Sequence, residues 1–374
     1  ILLSLALACA PKPTPEPLSS TSKPATSVPA TSPASNLSPP TSQSPTSQEA
    51  NWAKVVGAAK KEGKVTLYTF FFTARAQAIV KGFEQKYPEI KLEFVPMASA
   101  VRLERLKTEQ RMGQYIADTS DGSSSFQMNL KKEGLLMPVG ELPSLKDAVW
   151  STSPKLDPEG YLVNIYSSYY TIWSNTTQVK SADEPKSFKD LLDARWKGKI
   201  IQVEPATSSV APQIYAGYTK YGKADDNYFR QLGPQQMFIT GSALDLGRVL
   251  ARGEAPLGWG SPTNNALILD GAPIKPLDLL EGALITPGNT QSIINNAPHP
   301  NAAKVFFNWL ISKEGQLAVA ENQGLKSMRK DVPDMSPPIA RMDWKNPIVL
   351  TLADVDYADE VFSSRKLVDM WGRK

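Results

Sequence analysis

Val65-Thr66-Leu67-Tyr68-Thr69 is a short run of strand formers, and the residues after it repeat a strand-and-helix alternation up to position 118. Residues 75–87 set Ala76, Ile79, Val80 and Phe83 on one helical face, and Pro88 stops that helix. Residues 90–95 alternate Ile90, Leu92 and Phe94 in the period of a strand, residues 100–111 are helical, and Gly113 leads to a third strand at Ile116-Ala117-Asp118. Strand, helix, strand, helix, strand is the pattern of an α/β layer on a mainly parallel sheet.

The alternation extends in both directions. Upstream, residues 51–61 have the helical spacing Trp52, Val55, Val56, Ala59, and Gly63 can end the helix. Downstream, residues 161–174 are rich in β-branched and aromatic side chains, 188–194 form a short helix, and 199–203 a further strand. Helices follow at 210–221, 225–232 and 244–252, then a strand edge at Leu257-Gly258-Trp259-Gly260, and amphipathic helices at 302–310 and 314–323. Two α/β lobes fit this order better than one large sheet.

Residues 11–50 are different in kind, with ten prolines, sixteen serines and threonines, and no aromatic residue. Too little apolar surface is present to offset the entropy of ordering, so residues 10–50 read as an extended tether. Ahead of it stand an apolar run over 1–7, the small Ala8, and Cys9, the chain's only cysteine. Ala6-Leu7-Ala8-Cys9 resembles a lipobox, which makes 1–9 the end of a truncated lipoprotein signal peptide and Cys9 the lipid-attachment site. The expected location is extracytoplasmic, lipid-anchored to the cell membrane.

The formal charge of +4 comes from 41 basic and 37 acidic residues spread along the chain, with no basic cluster of the kind that tracks nucleic acid. No run after residue 9 approaches the roughly 20 apolar residues of a membrane-spanning helix. Without a second cysteine there is no intramolecular disulfide, and stability must come from a core.

Several phrases, in order, resemble one family. They are Val65-Thr66-Leu67-Tyr68-Thr69 with Phe83-Glu84-Gln85-Lys86-Tyr87-Pro88; Thr108-Glu109 with Gly113 and Ala117-Asp118; Lys132-Glu133-Gly134-Leu135-Leu136; Trp196-Lys197-Gly198-Lys199-Ile200; His299-Pro300-Asn301-Ala302-Ala303; and Ser312-Lys313-Glu314-Gly315-Gln316. Together they resemble the extracellular solute-binding proteins of bacterial ABC importers, in the cluster that includes ferric-iron binders. The resemblance implies an α/β, two-lobed type II periplasmic-binding-protein fold with two chain crossovers. Mapped here, one lobe holds 51–168 plus 281–330, the other 169–280, and a tail from 331 to 374 packs on the lobes. It further implies a solute bound in the interlobe cleft, a membrane permease as partner, and a chain acting as a monomer.

Iron(III) needs hard oxygen ligands. Where the resemblance places a histidine, a glutamate, an arginine and a tyrosine pair, this chain has Phe70-Phe71-Phe72-Thr73, Ser120 with Asp121 to Ser125, Ser168-Tyr169-Tyr170, and Leu257-Gly258-Trp259-Gly260. Tyr169 and Tyr170 are adjacent in a strand, where neighbouring side chains point to opposite faces, and His299 reads as a turn or cap residue. Asp118 and Asp121 read as capping or turn residues. The expected solute-contacting set is therefore Phe71, Phe72, Ser123, Ser124, Tyr169, Tyr170, Ser208, Trp259 and Ser261. Aromatic surface, hydroxyls and helix N-termini near Ala74 and Ser209 suit a small organic solute with an anionic group, without a cofactor. Ferric iron or an iron–anion complex is the alternative ligand. An enzyme or a sensor receptor on the same fold is the alternative class; no G-x-S-x-G elbow, zinc-type His/Glu spacing or nucleophile–histidine pair supports an enzyme.

Overall fold

The protein is described by a computed structural model over residues 47–69, 76–97, 99–206, 210–260, 264–363 and 365–371. The first lobe opens with α1 (Ser47–Glu62), β1 (Lys64–Thr69), α2 (Ala76–Lys86), β2 (Lys91–Pro96), α3 (Ser99–Met112), β3 (Thr119–Gly122), α4 (Ser124–Lys132) and β4 (Leu136–Met137). A thirteen-residue strand, β5 (Val163–Asn175), leads out of it. The second lobe follows with β6 (Ile200–Val203), α5 (Val210–Lys220), α6 (Asp226–Leu232), β7 (Phe238–Thr240), α7 (Ala243–Arg252), β8 (Leu257–Gly260), α8 (Asn265–Leu269) and β9 (Ile274–Pro276). A long strand, β10 (Leu284–Ile294), returns to α9 (Pro300–Leu310) and α10 (Lys313–Gln323), and the chain closes with β11 (Ile348–Val349), α11 (Leu352–Ser363) and α12 (Lys366–Met370).

The strands pair in the order β2-β1-β3-β10-β5-β8-β6-β7, with β4 and β11 on β10 and β9 on β5. β1 runs parallel to β2 and β3, β6 runs parallel to β7 and β8, and every antiparallel pairing involves β5 or β10. The two parallel halves are joined edge to edge by the crossover strands, because each is long enough to serve both halves.

The cores part where these strands cross. Val163, Ile165, Tyr166 and Ile293 belong to a cluster with Phe83, Phe306 and Trp309, whereas Tyr170, Ile172 and Leu284 belong to another with Tyr218, Trp259 and Leu350. The β5–β10 register slips between Pro287 and Asn289 and again before Thr290. Gly288 occupies that slip; a Cβ there would lie 2.7 Å from the Tyr166 carbonyl oxygen and 2.9 Å from Ser168 Cβ, so only glycine fits. Pro287 has no N–H to give to the ladder. Leu284 packs in the second lobe, which moves the return crossing from the expected residue 281 to about the Pro287–Asn289 slip.

Two further boundaries moved. The first helix begins at Ser47 inside the stretch read as tether, and its last residue, Glu62, accepts hydrogen bonds from Asn301 N and Ala302 N (3.3 and 2.6 Å), placing a carboxylate at the start of α9. The third strand is Thr119–Gly122 rather than residues 116–118. Its buried side chains are polar, and hydrophobic periodicity does not see them. Asp118, just ahead of it, accepts from Thr66 N and His299 N, both at 2.7 Å, with His299 Nδ1 at 3.0 Å, so it pins β1 to the entry of α9. Burial raises the Asp118 carboxyl above the usual range, and those donors with His299 oppose the rise.

Candidate functional site

A cavity of about 330 Å³ opens beside the crossing and takes its wall from several parts of the chain. Ser167, Ser168 and Tyr169 come from β5, Ile285 from β10, Asn265 from the start of α8, Ser151 and residues 325–328 from the first lobe, and Asp334, Arg341 and Trp344 from the segment after α10. A side chain of the second lobe closes one edge by bonding directly to the first: Asn265 Nδ2 donates to the Gly324 carbonyl at 2.7 Å.

The wall has one aromatic and one polar character. The Tyr169 ring stacks parallel to Trp173 (centroids 6.1 Å, interplanar angle 1°) and packs against Trp344 at 4.9 Å. Its hydroxyl is buried beside the Asn265 amide, and Asn265 Oδ1 is buried with no hydrogen-bond partner among the described residues. Burial pushes the Tyr169 phenol well up, so it stays a neutral donor.

The charged part is held from behind. Arg329 is buried and bonds Asp147 Oδ2 (2.6 Å), both Asp331 oxygens (2.9 and 3.0 Å) and the Ile311 carbonyl (3.1 Å), which fixes the loop that carries Lys326. Ser151 Oγ donates to the Met328 carbonyl at 2.8 Å, and Met335 N donates to the Leu325 carbonyl at 3.2 Å. Arg341 donates through Nε to the Ser336 carbonyl (2.8 Å) and through Nη2 to the Asp334 carbonyl (3.1 Å). Two neutral acceptors orient that guanidinium and leave its charge uncancelled.

The residues anticipated from sequence are not all brought together. Phe71, Phe72, Ser208, Ser261 and Cys9 lie outside the described residues. Tyr169 lines the cavity, but Tyr170 points the other way into the second-lobe core, where burial pushes its phenol up to about 12. Ser124 is buried, with its hydroxyl 2.8 Å from Thr290 Oγ1, so it ties α4 to β10. Ser123 caps α4, accepting from Phe126 N at 3.3 Å.

Trp259 needs a correction. Expected on the cleft wall, it is 1% exposed and packs edge-on against Phe188 and near Tyr218. On the opposite face of the strand a Cβ at Gly258 would strike Ile201 Cγ2 at 2.4 Å and one at Gly260 would strike Trp173 at 2.6 Å. With Phe188 and Tyr218 on the Trp259 side, both faces of β8 are covered, and Trp259 is a core residue.

Sequence reading missed Lys326, Asp334, Arg341 and Trp344, which are scattered between Gly324 and Leu350 with no motif around them. Pro337-Pro338 is the nearest signal, marking a segment that must run over the surface. Among the described residues, no three His, Cys, Asp or Glu side chains gather in a group that could hold a metal. No described helix is long and apolar enough to cross a membrane.

Residues 78–348 match the family described as bacterial extracellular solute-binding protein. An uncharacterised protein of Haemophilus influenzae is 26% identical over 291 residues, covering 76% of this chain and 83% of the relative. A Salmonella typhi protein, provisionally named a 2-aminoethylphosphonate-binding periplasmic protein, is 27% identical over 183 residues, 45% of this chain and 53% of that one. Among solved structures, the periplasmic binding protein AfuA of Actinobacillus pleuropneumoniae with bound fructose-6-phosphate superposes with a TM-score of 0.68 at 24% identity, covering 83% of this chain and 99% of that one. The ferric binding protein of Campylobacter jejuni gives 0.69 at 18% identity, with 83% and 100% covered.

Proposed function

The chain belongs to the bacterial extracellular solute-binding proteins, and from that premise we propose that it is the capture subunit of an ABC importer. It takes a small anionic organic solute into the cavity beside the crossover strands and hands it to a membrane permease. Solute bridging the two lobes favours a closed arrangement, and the Pro287–Gly288 slip in the β5–β10 ladder is where the lobes bend. Cys9, lipid-modified, and the residues between it and α1 as tether keep the receptor, a monomer, near its permease. The chain acts by binding and release, not by catalysis.

One observation carries the reading: a single cavity is lined by both lobes, both crossover strands and the closing segment, so a ligand in it touches every part that must move together. The names of relatives point the same way, since one binds a sugar phosphate and another is provisionally a phosphonate binder. Iron is disfavoured because Tyr169 and Tyr170 diverge to opposite faces and cannot share one ion.

Ser167 is exposed on the cavity side of β5, so Ser167→Trp fills the space without disturbing a core. The expected result is loss of the thermal shift that organic phosphonates or acids give the native protein, with the unliganded melting temperature kept. Ferric citrate stabilising the protein, with a phenolate-to-iron absorption band and no response to organic anions, would overturn the proposal.

A further inference from the structure

The geometry points to an oxyanion subsite made by Lys326 and Arg341, suited to the dianionic head of a phosphonate or phosphate monoester. It rests on the cavity being the solute site, and it locates the negative end of that solute.

Lys326 and Arg341 both line the cavity, one from the loop after α10 and one from the closing segment. Neither makes an ion pair among the described residues. That sets them apart from Arg102 and Arg329, which are buried against carboxylates. The backbone carbonyls of Ser336 and Asp334 hold the Arg341 fork in place at no cost in charge, so its remaining donors are preorganised for an anion. Lys326, exposed on its loop, supplies a second charge. Two cations match two negative charges, which a phosphonate carries and a carboxylate does not. Asp334 lines the same cavity, and its carboxylate accepts from Ser336 N at 2.9 Å. The lining therefore holds two positive groups and one negative, the complement of an aminoalkyl phosphonate.

Isothermal titration of the folded protein with 2-aminoethylphosphonate, ethylphosphonate and β-alanine tests the assignment. We expect both phosphonates to bind more tightly than β-alanine by at least about tenfold, as befits charge-assisted pairs. Arg341→Ala and Lys326→Ala should each weaken phosphonate binding about tenfold or more while leaving β-alanine within about threefold. Native affinity should rise with pH as the phosphonate head group takes its second charge, and the double variant should flatten that rise. Phosphonate affinity unchanged in both variants, with Ser167→Trp still abolishing it, would overturn the subsite and leave the cavity standing. Affinity unchanged in all three would overturn the cavity as well, and no binding of either phosphonate to the native protein at millimolar concentration would overturn the subsite outright.

Discussion

Arg102 and Arg341 are the same residue put to opposite uses. Arg102 sits on α3 with no exposed surface, donating from Nη1 to Asp121 Oδ1 at 3.1 Å and to the Tyr68 carbonyl at 2.8 Å, with its guanidinium 4.4 Å from the Phe126 ring centre. Asp121 in turn accepts from Thr69 Oγ1 at 2.7 Å, so one buried pair staples the ends of β1 and β3 to α3. Arg341 is exposed at the cavity and held only by carbonyls. A cation matched by a buried carboxylate is committed to the fold, because separating the pair strands a charge in a low dielectric. A cation oriented by neutral acceptors stays available to something that arrives later.

The contrast predicts its largest effect at Arg102. Arg102→Ala takes the cation away from the buried Asp121 carboxylate and should destabilise the first lobe by about 3–5 kcal/mol, read as denaturation midpoint. Arg102→Met combined with Asp121→Asn removes both charges while Asn still accepts from Thr69, and should recover more than half of that loss. If the single variant costs no more than an ordinary surface change, the distinction between the two arginines fails at its strong end.

Asp359 on α11 stands between these extremes. Its Oδ2 is buried with no hydrogen-bond partner among the described residues, and burial raises its carboxyl to about 6, with Lys132 of α4 opposing the shift and Asp356 of the same helix adding to it. Lys132 is bonded to Asp356 at 3.0 Å, so Asp359 has at best a share of that cation. A carboxylate whose folded-state value is raised binds more protons folded than unfolded between about pH 4 and 6, so stability falls as pH rises through that window. Asp359→Asn should therefore raise the melting temperature at pH 7.5, by an amount equivalent to about 1–3 kcal/mol, and the gain should vanish near pH 4. A gain independent of pH would mean that the asparagine improves packing and that charge is not the issue.

How much of this was readable in advance depends on what carried the signal. The alternation from Lys64 to Met112 announces itself because Val65, Leu67, Ile79, Phe83, Ile90 and Leu92 face one core at strand or helix spacing. β10 did not, because its centre reads Thr286-Pro287-Gly288-Asn289, the composition of a turn, and only its pairing with β5 makes it a strand. Trp259 misled for the opposite reason: it stands where the resembled family places a ligand-binding tyrosine pair, and burial by Phe188 and Tyr218 is a long-range fact. Lys326 and Arg341 carry no local pattern. A charge becomes functional when nothing pairs with it, and pairing belongs to the folded chain.

The smallest expected effect is the sharpest test of the contrast. Arg341→Ala removes a side chain whose hydrogen bonds go to the carbonyls of Ser336 and Asp334, both close to it in the chain. Arg341 itself is exposed, so its charge is already solvated, and no carboxylate loses a partner. The change in unfolding free energy should stay within about 0.5 kcal/mol, as for surface substitutions away from special features. Measured beside Arg102→Ala in the same denaturant series, this gives two arginine truncations differing several-fold in cost. If Arg341→Ala instead costs as much as its buried counterpart, then the segment from Asp334 to Trp344 depends on that guanidinium to stay folded over the cavity. A loss of solute binding in the variant would then report a collapsed wall, and only the retained binding of β-alanine could still separate a missing charge from a missing wall.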